Sequence, residues 1–183
     1  MYAVPVASGD QFFVDLFAAP IRGRRNALCA TVEQLPFRES AFECIVCVGE
    51  VLSYCDPAAA LCEFARVISP GGHLIFDFGS THSIRHWRSE MFGRAADILS
   101  DQYNGSCEKV WRYSPKYIRE LLKTNSFDVR QTFGIHTWSA LAKRLGASEA
   151  RALMAQSWLE LIKFPAVLAD ILTIVAVKET SGR

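Results

Sequence analysis

"RVISPGGHLIFDFGS", residues 66–80, decides the fold. Proline pushes the residue before it out of the α region, so the helical pattern upstream should end at Ser69. Glycine after Pro70 supplies the positive φ of a tight turn. "HLIFDF" (73–78) then runs apolar without polar alternation, the pattern of a strand buried on both faces. Upstream, "DPAAALCEFARVI" reads as a helix: Asp56 is the N-cap, Pro57 takes the first helical position, and Leu61, Phe64, Ala65 and Ile68 form one stripe. Before it, "ECIVCV" (43–48) is a second β-type run. Strand, helix and strand within this length make a βαβ crossover, which implies parallel pairing of 43–48 with 73–78.

The same alternation extends in both directions. "QFFVD" (11–15) and "NALCA" (26–30) are short apolar runs. "THSIRHWRSEMFGRAADILSDQY" (81–103) is aromatic and weakly periodic, and is expected to be a helix or a cap over the sheet edge. "SPKYIRELLKTNSF" (114–127) is an amphipathic helix with Ser114 as N-cap, and "FDVRQTFGI" (127–135) is a strand after it. Residues 137–165 read as one or two helices and "DILTIVAVKE" (170–179) as a last strand, antiparallel near 127–135. No repeat, low-complexity tract or linker divides the 183 residues, so a single α/β domain is expected.

Half of the residues are hydrophobic, 21% are charged and the formal net charge is +1, which excludes disorder and gives no electrostatic footprint for nucleic acid. The basic cluster "RGRR" (22–25) reads as a solvated turn. The six cysteines are too few for a disulfide scaffold in a chain of this length. Cys44 and Cys47 spell C-x-x-C, but on a strand this odd spacing sends them to opposite faces, which suits neither zinc nor a redox pair. No metal site is expected. "MYAVPVASGDQFF" lacks the pattern of a signal peptide, and 164–177 is too short and too interrupted by Pro165 and Asp170 to span a bilayer. The expectation is a soluble, cytoplasmic protein.

From Ala30 to Phe78 the chain resembles the class I S-adenosylmethionine-dependent methyltransferases, in particular the small-molecule type called type 11. In that family an acid-containing segment ending in "LPF" leads into "FD-V-C", then into a capped helix ending "RVL-PGG-L". Here Leu35-Pro36-Phe37, the run 43–48, Asp56 and Pro70-Gly71-Gly72 stand in that order. The resemblance implies a Rossmann-like three-layer sandwich with a parallel core and one antiparallel late strand. It implies S-adenosylmethionine as cofactor and a small-molecule or lipid-like methyl acceptor. Residues 1–80 then form a truncated cofactor-binding half, and 81–183 the substrate-side cap and final strands.

One family element has no counterpart. A glycine-rich loop (D-x-G-x-G-x-G) between the first strand and first helix carries the cofactor in the family, and this sequence has none. "QFFVD" corresponds to the second strand and "YAVPVAS" (2–8) to the tail of the first helix. Two readings stay open: coding sequence upstream of Met1 supplies the strand and loop, or the chain is a genuine truncation. Loss of a central strand should leave a gap or a rearranged pairing.

Carried over position by position, the resemblance implies that Asp15 accepts hydrogen bonds from the cofactor's ribose, with a helix N-cap as the alternative. Thr31 and Val32 stand where the family has an acid and an apolar residue against the adenine. Val48 and Gly49 follow the strand whose backbone faces the cofactor. Glu50 either meets the cofactor's cationic end or is solvated, and Glu33 reads as solvated. Tyr54 sits at a crevice mouth. His82 and His86 are candidate bases, His73 is structural, and Trp87, Phe92, Trp111 and Trp138 either line an acceptor pocket or pack. No catalytic residue is assigned. The alternative function is a non-catalytic interaction protein on the same fold.

Overall fold

A computed structural model describes residues 11–103, 106–146, 148, 151, 154 and 165–180. The expectation for 2–8 and part of that for 137–165 lie outside these residues. The elements in chain order are β1 (Phe13–Asp15), α1 (Ala18–Ile21), β2 (Ala27–Cys29), β3 (Phe42–Cys47), α2 (Pro57–Val67), β4 (Ile68–Gly79), β5 (Ala96–Tyr103), β6 (Ser106–Tyr113), α3 (Pro115–Thr124), β7 (Phe127–Ile135), α4 (Thr137–Arg144) and β8 (Ile171–Lys178).

The βαβ unit forms as its sequence dictates. Asp56 Oδ1 accepts the Ala58 N–H at 2.9 Å, and Pro57 opens α2. Ala60, Leu61, Phe64 and Val67 are buried against the sheet. β3 and β4 pair in parallel, with Cys44 opposite His73 and Cys47 opposite Phe76. The Pro-Gly-Gly segment differs from expectation. α2 ends at Val67, Ile68 is already extended, and Ile68 pairs with Phe42, so 69–72 form a bulge inside β4. The turn lies within the strand because Ile68 finds a ladder partner before the bulge, which propensity around Pro70 does not reveal. Gly71 has φ +80°, and a Cβ on Gly72 would come within 2.9 Å of the carbonyl oxygens of Glu43 and Ser69. Lys178 of β8 donates to the carbonyls of Ala65 and Ile68 at 2.7 and 2.8 Å, capping the C-terminus of α2 with a cation.

The main sheet runs β3-β4-β8-β7, with β8 antiparallel to both neighbours, as expected for 170–178 beside 127–135. β1 and β2 pair in parallel as a separate two-stranded sheet. Among the described residues β1 and β3 each keep one edge without a strand partner.

Side chains hold the two sheets together. Phe12, Phe37 and Phe42 meet edge to face, with centroids 4.7–5.9 Å apart, where β1 and β3 begin. Where β2 and β3 end, Glu33 Oε1 accepts the Asp56 N–H at 2.8 Å. Glu33 is therefore a tie between the loops, not merely a solvated carboxylate. Between these ends the Leu35-Pro36-Phe37 loop is clamped to α2. Glu63 accepts the Leu35 N–H at 2.7 Å, and Arg66 donates to the carbonyls of Leu35 and Phe37 and to Glu63. Both strand pairs thus point their C-terminal ends the same way, as ligand crevices in open α/β sheets require.

Residues 81–103 correct the helix-or-cap expectation. A single 3-10 turn (Ile84–His86) precedes β5, which forms an antiparallel hairpin with β6. Ala96 and Ile98 share a face and pair with Tyr113 and Trp111 across the ladder. The period-2 signal was split by the aromatic residues before it, and Arg88 and Gly93 at positive φ prevent a continuous helix. α3 follows as expected, with Ser114 Oγ accepting the Tyr117 N–H. α2 packs on β4, α3 packs on β7, and the two helices touch one another.

Candidate functional site

The C-terminal ends of β1, β2 and β3 carry all the residues expected to face a cofactor. Asp15 closes β1, half-buried, and its Oδ1 accepts the Phe17 N–H at 2.9 Å. This local turn is part of the capping alternative, and it leaves the second carboxylate oxygen for another donor. Beyond β2, Thr31 Oγ1 donates to Glu33 Oε2 at 3.0 Å and receives the Glu33 N–H. Thr31 is thus tied to the loop, and Val32 beside it is half-buried against the core.

Beyond β3 the backbone makes a left-handed turn. Gly49 has φ +99° and Glu50 φ +57°. A Cβ on Gly49 would meet nothing within 4 Å, so this backbone faces open space. The turn is held from β4: Asp77, only 8% exposed, accepts the Gly49 and Glu50 N–H groups at 3.0 and 2.7 Å. Those two donors are consumed by a carboxylate, so this turn offers them to no phosphate. The charge beside it is negative instead, which suits a ligand with a cationic group.

Glu50 does not face this opening as a free carboxylate. It lies 3.8 Å from Arg112, whose side chain is buried on β6 and passes over Gly79 to donate to the Asp170 carbonyl at 3.1 Å. A Cβ on Gly79 would stand 2.5 Å from the Arg112 Cδ, so glycine is needed for that passage. Asp170 in turn lies 3.8 Å from Arg85. Glu50, Arg112, Asp170 and Arg85 tie the hairpin, the start of β8 and the 3-10 turn to the rim of the crevice. Sequence reading missed Asp77, Arg112 and Asp170. Only the closeness of Asp77 to a strand end hinted at its role.

The candidate bases separate. His86 is the buried last residue of the 3-10 turn, on which α4 packs. His82 lines a cavity of about 390 Å³ beside α3 with Lys116, Arg119 and Lys123, and burial lowers its pKa from the ordinary histidine value. His73, expected at a strand start, lies inside β4 just past the bulge and is exposed. Tyr54 is 61% exposed and donates to Glu108 at 3.2 Å, bridging the turn after β3 to the hairpin. Trp87 and Trp111 are also largely exposed, Trp111 stacking on Tyr113, while Phe92 and Trp138 are half-buried. Cys44 and Cys47 are free thiols, and no three-residue metal cluster exists among the described residues. "RGRR" is exposed, with Arg24 over the Phe13 ring at 4.9 Å. No described helix is long and apolar enough to cross a membrane.

Comparison with known proteins agrees with this geometry. Residues 12–76 match a family described as a methyltransferase domain. The malonyl-[acyl-carrier protein] O-methyltransferase of Herminiimonas arsenicoxydans is 30% identical over 106 residues, which cover 52% of this chain and 40% of that protein. The match therefore spans about two-fifths of that relative. A SAM-dependent methyltransferase from Methanosarcina mazei superposes with a TM-score of 0.58 at 17% identity, over 92% of this chain and 81% of the other. An S-adenosylmethionine-dependent methyltransferase from Mesorhizobium loti gives a TM-score of 0.55 at 13% identity, over 90% and 78%. The chain has the fold of the S-adenosylmethionine-dependent methyltransferases and carries their methyltransferase-domain signature over residues 12–76.

Proposed function

We propose that the chain is part of an S-adenosylmethionine-dependent methyltransferase acting on a small-molecule or lipid-like acceptor. The observation that carries this reading is the crevice beyond β1, β2 and β3, with its open Gly49 backbone and its negative rather than phosphate-binding turn. These features fit the cofactor's charge. When bound, S-adenosylmethionine supplies an electrophilic methyl group on a sulfonium. Asp15 would accept from the ribose hydroxyls through the oxygen that Phe17 leaves unused, Thr31 and Val32 would flank the adenine, and Val48 and Gly49 would form the backbone wall between them.

No side chain beyond position and alignment is assigned to the transfer itself, which proximity accelerates strongly. His82 lines a cavity, and burial lowers its pKa from the ordinary histidine value, which favours it as the candidate base. The relative named for an O-methyl transfer makes an oxygen acceptor the finer form of the proposal. A glycine loop of the kind the family carries would supply further backbone donors to this crevice. Residues 1–183 form a single methyltransferase-like domain in this proposal.

The test is methyl transfer from radiolabelled S-adenosylmethionine to malonate esters and free fatty acids, by a form extended upstream through a glycine loop. Label in product supports the enzyme. Cofactor binding with no transfer to any acceptor supports the non-catalytic alternative.

A further inference from the structure

Asp77 is not itself among the positions assigned to the cofactor, yet it hydrogen-bonds one of them, Gly49. Left-handed φ is unfavourable for a residue with a side chain, and Glu50 sits at φ +57° directly after Gly49 at φ +99°. Something must hold this pair in place. The Asp77 carboxylate does so by taking both N–H groups, at 3.0 and 2.7 Å, from the neighbouring parallel strand. Asp77 is 8% exposed and lies in β4 between Phe76 and Phe78, both fully buried, so its own position is fixed by the core.

We infer that Asp77 is a positioning residue for cofactor binding, acting through the Gly49–Glu50 turn. The inference rests on the cofactor reading above. By holding both amides, Asp77 keeps the open face of Gly49 turned to the crevice and swings the Glu50 side chain away toward Arg112. Without it the turn would relax toward negative φ at Glu50, and its backbone or side chain would enter the opening.

S-adenosylhomocysteine titrated into the full chain to millimolar concentration, followed by amide NMR shifts, tests this together with the melting temperature of each variant. Asp77→Asn should weaken binding about tenfold, because an amide offers one acceptor where the carboxylate offered two. Adding Glu50→Asn, which places at position 50 the residue type most tolerant of positive φ after glycine, should regain most of that loss. A purely structural role would lower the melting temperature of Asp77→Asn and leave affinity unchanged, which overturns the proposal. A loss of affinity that Glu50→Asn leaves unrepaired also overturns it, since Asp77 would then not act through the turn. If neither the wild-type chain nor a form extended upstream through a glycine loop takes up S-adenosylhomocysteine, the cofactor reading itself fails. That outcome is distinct from equal binding by wild type and variant, which removes only the positioning role.

Discussion

Replacing each glycine of the bulge in β4 with alanine separates two physical demands that look alike in sequence. At Gly71 the demand is conformational: φ is +80°, while a Cβ would meet only the Thr180 methyl at an ordinary 3.7 Å. Gly71→Ala should therefore cost about 1–2 kcal/mol, the penalty of the left-handed region for a residue with a Cβ. At Gly72 the demand is spatial. A Cβ there would stand 2.7 Å from Ile68 Cγ2 and 2.9 Å from two backbone oxygens. The Ile68 methyl belongs to a fully buried side chain, and neither carbonyl can move without breaking the bulge. Overpacking of this kind costs about 1–3 kcal/mol, and with backbone on two sides Gly72→Ala should lie at or above the upper end. Urea unfolding of both variants, followed by tryptophan fluorescence and compared at equal m-value, measures the difference. Gly72→Ala no more costly than Gly71→Ala would refute the close approach and the bulge with it.

Asp15→Ala in a form that carries the glycine loop should lose about 1.5–3 kcal/mol of cofactor binding, a tenfold to hundredfold rise in Kd. It should also lose some stability, since Asp15 caps the Phe17 N–H; lowered melting with unchanged affinity would remove it from the site. Glu63 is held below the ordinary carboxylate range by its hydrogen bond to Arg66, with burial opposing and the Leu35 N–H assisting. A depressed folded pKa contributes stability above the unfolded value of about 4.3 and loses it as pH falls through the folded one. Glu63→Gln should accordingly melt lower than wild type at pH 7 yet lose less on acidification, and parallel melting curves against pH would exclude the clamp. Burial pushes the Cys47 and Cys55 thiols up to about 12, the neighbouring thiol and carboxylates adding to it. A maleimide should label exposed Cys62 and Cys107 quickly and these two only on unfolding; rapid native labelling of Cys47 would contradict the packing of β3 on β4.

The βαβ unit was legible because each boundary carries a local chemical cause: the Asp56 cap, Pro57 and the strand-type runs on either side. The Leu35-Pro36-Phe37 pattern marked the right loop but not the reason for it, which is the clamp of Glu63 and Arg66 reaching back from α2. The hairpin was missed because its ladder joins residues that only tertiary pairing identifies, and because Trp87 and Phe92 blur the alternation before it. In the site, residues beside the crevice could be named from their place at strand ends. The Asp77 support and the Arg112–Asp170 tie could not, since both depend on contacts across 27 or more positions. Glu50 shows the limit most plainly: its partner Arg112 lies on a different strand, so sequence left its direction open.

If the crevice beyond β1, β2 and β3 holds S-adenosylmethionine, a glycine loop of the family's kind should add its backbone donors to the same site. Isothermal titration of S-adenosylmethionine into residues 1–183, and into the protein extended upstream through a glycine loop, tests it most directly. Much tighter binding by the extended form is expected, because the loop's backbone donors are then in place. Equal affinities would contradict it, since the loop's donors would then add nothing to the site.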